Sequence, residues 1–161
     1  MAQPASLPES TLSAQEMESL AFGYAAAKNA RSAERTIAFC AESFVFALSS
    51  VPTVRVRGHS EVAQHLTALW EVFPDLYSHV DRHVVGPTGL IATGSLTGTM
   101  RGHYFGVPPT GRAFSVALVS SFEFGEERIR QETNFVDSLA LFAQLALPSE
   151  VVTSILREAS S

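Results

Sequence analysis

The sequence predicts an α+β domain in which a curved antiparallel sheet wraps around helices to form a cone. Three observations carry this reading. Helix-spaced apolar residues dominate the chain before Pro74, with only short strands among them, and return after Asp137, so the helices are segregated from the meander of long strands. Between them the apolar period falls to two, over long segments joined by turns, which is the pattern of an antiparallel meander. The 161 residues, at roughly 150 per domain, make one domain with room for a sizeable core. A sheet backed by so few helices must curl to cover its apolar face. Closed by helices, a curled sheet leaves a hollow suited to a small molecule.

Residues 1–12 hold Pro4 and Pro8 among small polar side chains and read as a disordered tail before a single domain over 13–161. Ser13 and Glu16 form a capping box, each able to satisfy an orphan amide at a helix start. Met17, Leu20, Ala21 and Tyr24 then share one face of a helix running to about Arg31. Ser32 caps a second, short helix ending near Cys40. Phe44 to Ser49 is a short strand, and Thr53 to Gly58 alternates Val54 and Val56 against Arg55 and Arg57 as its return. Ser60 is expected to cap a third helix that carries Val62, Leu66, Leu69, Trp70 and Phe73 until Pro74 stops it.

Beyond Pro74, where Asp75 is expected to fix the turn, Leu76, Ser78 and Val80 face one way and Tyr77, His79 and Asp81 the other. Pro87 to Gly89 is a turn, Leu90 to Met100 a long strand, Gly102 to Arg112 a loop, and Ala113 to Gly125 another long strand. A tight turn at Glu126 and Glu127 leads into the last strand, Arg128 to Val136. Leu139, Leu141, Phe142 and Leu145 mark a C-terminal helix, and Pro148 opens a final one over 149–159.

Composition excludes several function classes. Hydrophobic residues make up 46% of the chain and charged residues 17%, too apolar for a disordered protein. Net charge is −5 with no basic run, which argues against a nucleic-acid partner, because phosphate binding needs a cationic footprint. The lone cysteine, Cys40, leaves no internal disulfide and no Cys-rich zinc site. The first residues lack the basic and apolar regions of a secretory signal, and no apolar run approaches the ~18 residues of a membrane span. A cytoplasmic protein without a membrane partner is therefore expected.

Candidate chemistry is sparse. No phosphate loop, nucleophile elbow or HExxH motif is present. Asn134, an amide on a mostly apolar strand, must find a partner and is a candidate ligand contact. Asp137, three residues on, is a proton acceptor, a group that orients Asn134, or the cap of the helix after it. Glu132 shares parity with Asn134 and is either a base or a rim carboxylate paired with an arginine. His79 and His83 share a face of a flat strand, although a bulge would separate them. A metal needs a third ligand that is not evident, so no metal is expected. His83, beside Val84 and Val85, is the better pocket candidate, with a satisfied core histidine as its alternative. His59 and His65 read as surface residues, and His103 and Tyr104 as a mouth or lid. Tyr24, Trp70 and Phe73 are either core packing or an aromatic wall against a flat ligand. Arg55 and Arg57 read as surface or dimer contacts.

The run from Arg57 to Leu145 resembles the SnoaL-like polyketide cyclases, or ester cyclases, of the nuclear transport factor 2-like superfamily. The matching stretches, in order, are RGHSEVAQHL, FPDL, GTMRGHYFGVPPTGR and IRQETNFVDSLALFAQL. The resemblance implies the cystatin-like cone described above, no cofactor, and a homodimer formed through the outer sheet face. Such cyclases close rings by aldol chemistry with an Asp base on the last strand, and the residue matching that Asp here is Asn134. An amide cannot accept the proton, but it can hold a carbonyl or hydroxyl. Ser120 stands where an assisting His is found and Met100 where the His of a Gly-Thr-His stretch is found. Gly94 stands at an often aromatic position, so its small size would enlarge the hollow if it faces inward.

The expectation is thus a cofactor-free cyclase or isomerase of a polyketide-like or terpenoid small molecule, acting without the Asp-based mechanism. Asn134, Asp137, His83 and Glu132 are its candidate catalytic residues. Tyr24, Trp70, Phe73, Gly94, Met100 and Ser120 are its candidate substrate contacts. Two alternatives stand beside it: epoxide opening, which needs an Asp with an inward Arg, and a binding module without catalysis.

Overall fold

Ser13 begins the first helix as the capping box requires. Its hydroxyl accepts from the Glu16 amide, and the Glu16 carboxylate accepts from the Ser13 amide at 2.8 Å. The computed structural model describes residues 10–159. Helix α1 (Ala14–Asn29) buries Met17, Ala21, Tyr24 and Ala27. Ser32 caps α2 (Ala33–Ile37), which is shorter than the sequence suggests because strand β1 (Cys40–Leu48) starts early. Residues 1–9 of the expected tail lie outside the described residues. Its last residues are held: the Ser10 amide donates to the Pro87 carbonyl at 2.9 Å, and Leu12 packs on the core.

Strand β2 (Val54–Arg57) passes straight into α3 (Gly58–Val72). Ser60 lies inside this helix and does not cap it. Gly58, at φ +76°, makes the reversal that a side chain with a β-carbon resists, and the Glu61 carboxylate takes the Arg57 amide. Asp75 then fixes the turn after Pro74 by accepting both the Thr99 amide and hydroxyl at 2.7 Å.

Strands β3 (Tyr77–Gly86), β4 (Gly89–Thr99), β5 (Ala113–Phe124) and β6 (Ile129–Val136) form the predicted antiparallel meander. The whole sheet has six strands in the order β2-β1-β6-β5-β4-β3. It departs from a purely antiparallel sheet one strand in from the β2 edge, where β1 and β6 run parallel with Leu48 opposite Asn134. The sheet is curved and unclosed, with β2 and β3 as its edges. The fold is α+β, as the segregated periods predict.

Helices α4 (Ser138–Gln144) and α5 (Ser149–Ala159) complete the chain. Two apolar clusters fill the concave side. One gathers Tyr24, Phe44, Phe122 and Ile129 beneath α1. The other gathers Phe73, Met100, Phe114 and Phe142 near α4 and α5. Trp70 packs against both, and the hollow opens between them. Among the described residues no helix is long and apolar enough to cross a membrane.

Candidate functional site

A cavity of about 250 Å³ lies within the curl of the sheet. Its walls are mostly apolar: Phe46 and Leu48 from β1, Leu66, Leu69 and Trp70 from α3, Phe114 and Leu118 from β5. Tyr104 and Phe105, from the loop before β5, also border it. Few polar groups interrupt this lining, and they decide its chemistry.

Asn134 on β6 reaches the cavity and is 7% exposed. Its cross-strand partner on β5 is Ser120, whose hydroxyl donates to Asn134 Oδ1 at 2.5 Å. This bond occupies the amide carbonyl and fixes the plane of the amide. The Nδ2 hydrogens have no acceptor among the described residues, so they are available to a ligand oxygen. Ser120 itself stands behind Asn134 and does not line the cavity.

Glu132, two residues earlier on β6, is 2% exposed. It is no rim carboxylate, and its partner is not an arginine. Lys28 Nζ donates to both its oxygens, at 2.8 and 3.0 Å, and the Tyr24 hydroxyl donates at 2.6 Å. Burial, then the adjacent Glu132 charge, raises the Tyr24 pKa well above the usual phenol range. Neither Glu132 nor Tyr24 lines the cavity; Lys28 does, lying over the rings of Tyr24 and Phe46.

His65 on α3 was expected at the surface. It is half-buried, lines the cavity and packs on Phe46 with ring centroids 5.1 Å apart. Burial, and secondarily the Lys28 charge, lowers its pKa from 6.5, so it is neutral at pH 7. A signal for both residues was present in the sequence. Lys28 falls four after Tyr24, and His65 three after Val62 and four before Leu69, on buried helical stripes.

The remaining candidates divide. Trp70 and Phe73 line the cavity and also pack in the apolar clusters. Met100 is fully buried in the second cluster, with its sulfur accepting from the Thr110 hydroxyl. Gly94 does not enlarge the cavity: a β-carbon there would lie 1.8 Å from the His79 carbonyl oxygen, so glycine permits β3 and β4 to approach. Asp137 is the cap of α4, accepting from the Ala140 amide at 3.0 Å. A bulge between Val80 and Arg82 puts His79 and His83 on opposite faces. His83 turns toward α1, where its Nε2 lies 2.7 Å from a Glu18 carboxylate oxygen, away from the cavity. His59, expected at the surface, is half-buried and bonds the Cys40 carbonyl. Among the described residues no Asp and no Arg lines the cavity, so the pair needed for epoxide opening is not assembled from them. No three His, Cys, Asp or Glu side chains converge as a metal site among the described residues.

Residues 19–145 match the family of SnoaL-like polyketide cyclases. Among solved structures, the chain is similar to a candidate SnoaL-like polyketide cyclase from Jannaschia sp. CCS1, with a TM-score of 0.75 at 20% identity, covering 91% of this chain and 99% of that one. It is also similar to IdmH, a candidate polyketide cyclase from Streptomyces antibioticus, with a TM-score of 0.69 at 22% identity over 81% and 98% of the two chains. A protein with a ketosteroid isomerase-like fold from Catenulispora acidiphila aligns with a TM-score of 0.71 at 11% identity, over 81% and 95%. These likenesses show the fold. No curated protein sequence matches the chain.

Proposed function

Because the chain belongs to the SnoaL-like polyketide cyclase family, we propose that it is a cofactor-free cyclase or isomerase of a polyketide-like or terpenoid small molecule. The observation that carries this reading is an apolar cavity into which Asn134 presents a fixed amide donor. The walls fold the substrate and exclude water. Holding reacting carbons in a near-attack geometry can supply roughly 7–11 kcal/mol of a ring-closure barrier. The Asn134 Nδ2 group donates to the carbonyl oxygen on which negative charge develops, and Ser120 keeps that donor aimed. At about 250 Å³ the cavity falls below the roughly 300–1,000 Å³ of common ligand sites, which favours a compact substrate.

Of the four candidate catalytic residues, only Asn134 borders the cavity. Glu132 serves here as the anchor of Lys28, Asp137 as a helix cap, and His83 as a tie to α1. The reading includes a homodimer formed through the outer sheet face.

Incubation with linear polyketide ketones, followed by mass spectrometry and NMR of the products, tests this function. Ring-closed or isomerised product is expected. In Asn134→Ala the rate should fall by about 10²–10³ with the fold intact, the usual loss for one oxyanion donor. Unchanged turnover in that variant removes Asn134 from the mechanism. A ketone that binds and is returned unchanged would identify a binding module instead.

A further inference from the structure

We infer that His65 is the proton acceptor of this cavity and that Lys28 holds the oxyanion formed when His65 takes a proton from the carbon beside a ligand carbonyl. The inference rests on the reading that the cavity receives a carbonyl-bearing small molecule, and it names that ligand as a neutral, compact ketone.

Elimination among the lining groups leads to His65. Asn134 and Asn29 are amides, and Ser78 and Ser138 are hydroxyls. The Tyr104 phenol is pushed up to about 12 by burial and does not act as a base near neutrality. Lys28 is bound to Glu132 as a cation. Glu132 is closed off behind Lys28 and Tyr24 and does not reach the cavity. His65 remains, on the cavity wall with its ring against Phe46. Its burial and the Lys28 charge keep it unprotonated at pH 7, as a base must be.

Lys28 shares that end of the cavity, 5.4 Å from the centroid of the same Phe46 ring. Two of its three hydrogens go to Glu132. The third is available to a ligand oxygen. A buried ion pair is seldom more stabilising than apolar side chains of the same volume. A wholly structural role for this pair is therefore poorly motivated at the edge of a cavity. Glu132 already balances the Lys28 charge, so a ligand carboxylate would leave net negative charge in an apolar hollow. A neutral ketone avoids that, and its charge appears only as the proton reaches His65.

The step balances without an oxidant or co-reactant. The C–H bond breaks and the proton goes to the unprotonated imidazole nitrogen. The electron pair moves into an enolate, whose oxygen accepts from Lys28. Attack of the enolate carbon on a second carbonyl carbon, whose oxygen accepts from Asn134 Nδ2, forms the ring bond, and the imidazolium returns its proton to the new alkoxide.

Proton exchange isolates the first half of this sequence. β-Tetralone, a compact bicyclic ketone, is incubated with the protein in heavy water, and proton NMR follows loss of the hydrogens beside the carbonyl. Trp70, the single tryptophan and a cavity wall, reports binding by fluorescence. Wild-type protein should bind the ketone and accelerate exchange. In His65→Gln, binding should persist and exchange should fall by about a hundredfold or more, the scale of a lost general base. His65→Phe, which keeps the ring packing, provides the same comparison if the glutamine variant does not fold. Lys28→Met should keep binding and slow exchange about tenfold, a 1.4 kcal/mol loss of oxyanion stabilisation. A merely structural Lys28 would alter stability and leave exchange per folded molecule unchanged. Wild-type exchange in both His65 variants, or ketone binding without exchange, or no ketone binding by wild-type protein, would each overturn the proposal. Exchange needs no ring closure, so failure of the cyclase reading would leave this result standing.

Discussion

Ser120 decides what Asn134 can do. A free amide offers a ligand both a donor and an acceptor, but here the acceptor is occupied from β5 and the donor is left for the cavity. One hydroxyl thus turns an ambivalent side chain into a directed donor. His65 is fixed in a different way, by partial burial and by Lys28. Its folded pKa lies below 6.5, so the unfolded chain binds a proton more readily than the folded one. The resulting stability is complete above the unfolded pKa and is lost as pH falls from there toward the folded pKa. Wild-type resistance to chemical denaturation should therefore fall as pH drops from 7 through 6.5 and below, and His65→Gln should lose less over the same interval. Equal slopes in the two proteins would show that His65 does not titrate abnormally.

At the scale of elements, caps and bulges set the site more than propensity does. Asp137 ends β6 and starts α4 with one hydrogen bond, so Asp137→Ala should lower stability by about 1 kcal/mol in denaturant melts while turnover per folded molecule is unchanged. A loss of turnover beyond that would return Asp137 to the catalytic candidates. The capping box of α1, the stop of α3 at Pro74 and the meander from β3 to β6 were all legible, because each rests on local chemistry or a local period. The parallel pairing of β1 with β6 was not, since a two-residue period carries no strand direction. The bulge beside Val80 also left no mark in the sequence, yet it moves the inward positions from Ser78 to His83 and Val85. Lys28 and His65 lay on visible apolar stripes. His65 nevertheless reads as a surface residue and Lys28 as an ordinary helical lysine, because charged and polar side chains at such positions commonly sit at the surface.

For the molecule as a whole, the two faces of the sheet have separate tasks. The concave face holds the cavity. On the convex face the register aligns Val84 with Ile91 and Val119 with Phe135. Ile91 is 46% and Phe135 47% exposed, which is large for apolar side chains in the middle of a sheet. A second copy of the chain would cover them, as expected of a homodimer built on this face. Light scattering across the micromolar range should give twice the monomer mass for wild-type protein. Replacing both Ile91 and Phe135 by Asp should yield a monomer, since two like charges would be desolvated on each partner. Because Ile91 and Phe135 do not border the cavity, the monomeric variant should still bind β-tetralone with wild-type affinity. A wild-type monomer at high micromolar concentration would remove the dimer. Loss of ketone binding along with dimerisation would instead show that the two faces are coupled through the sheet.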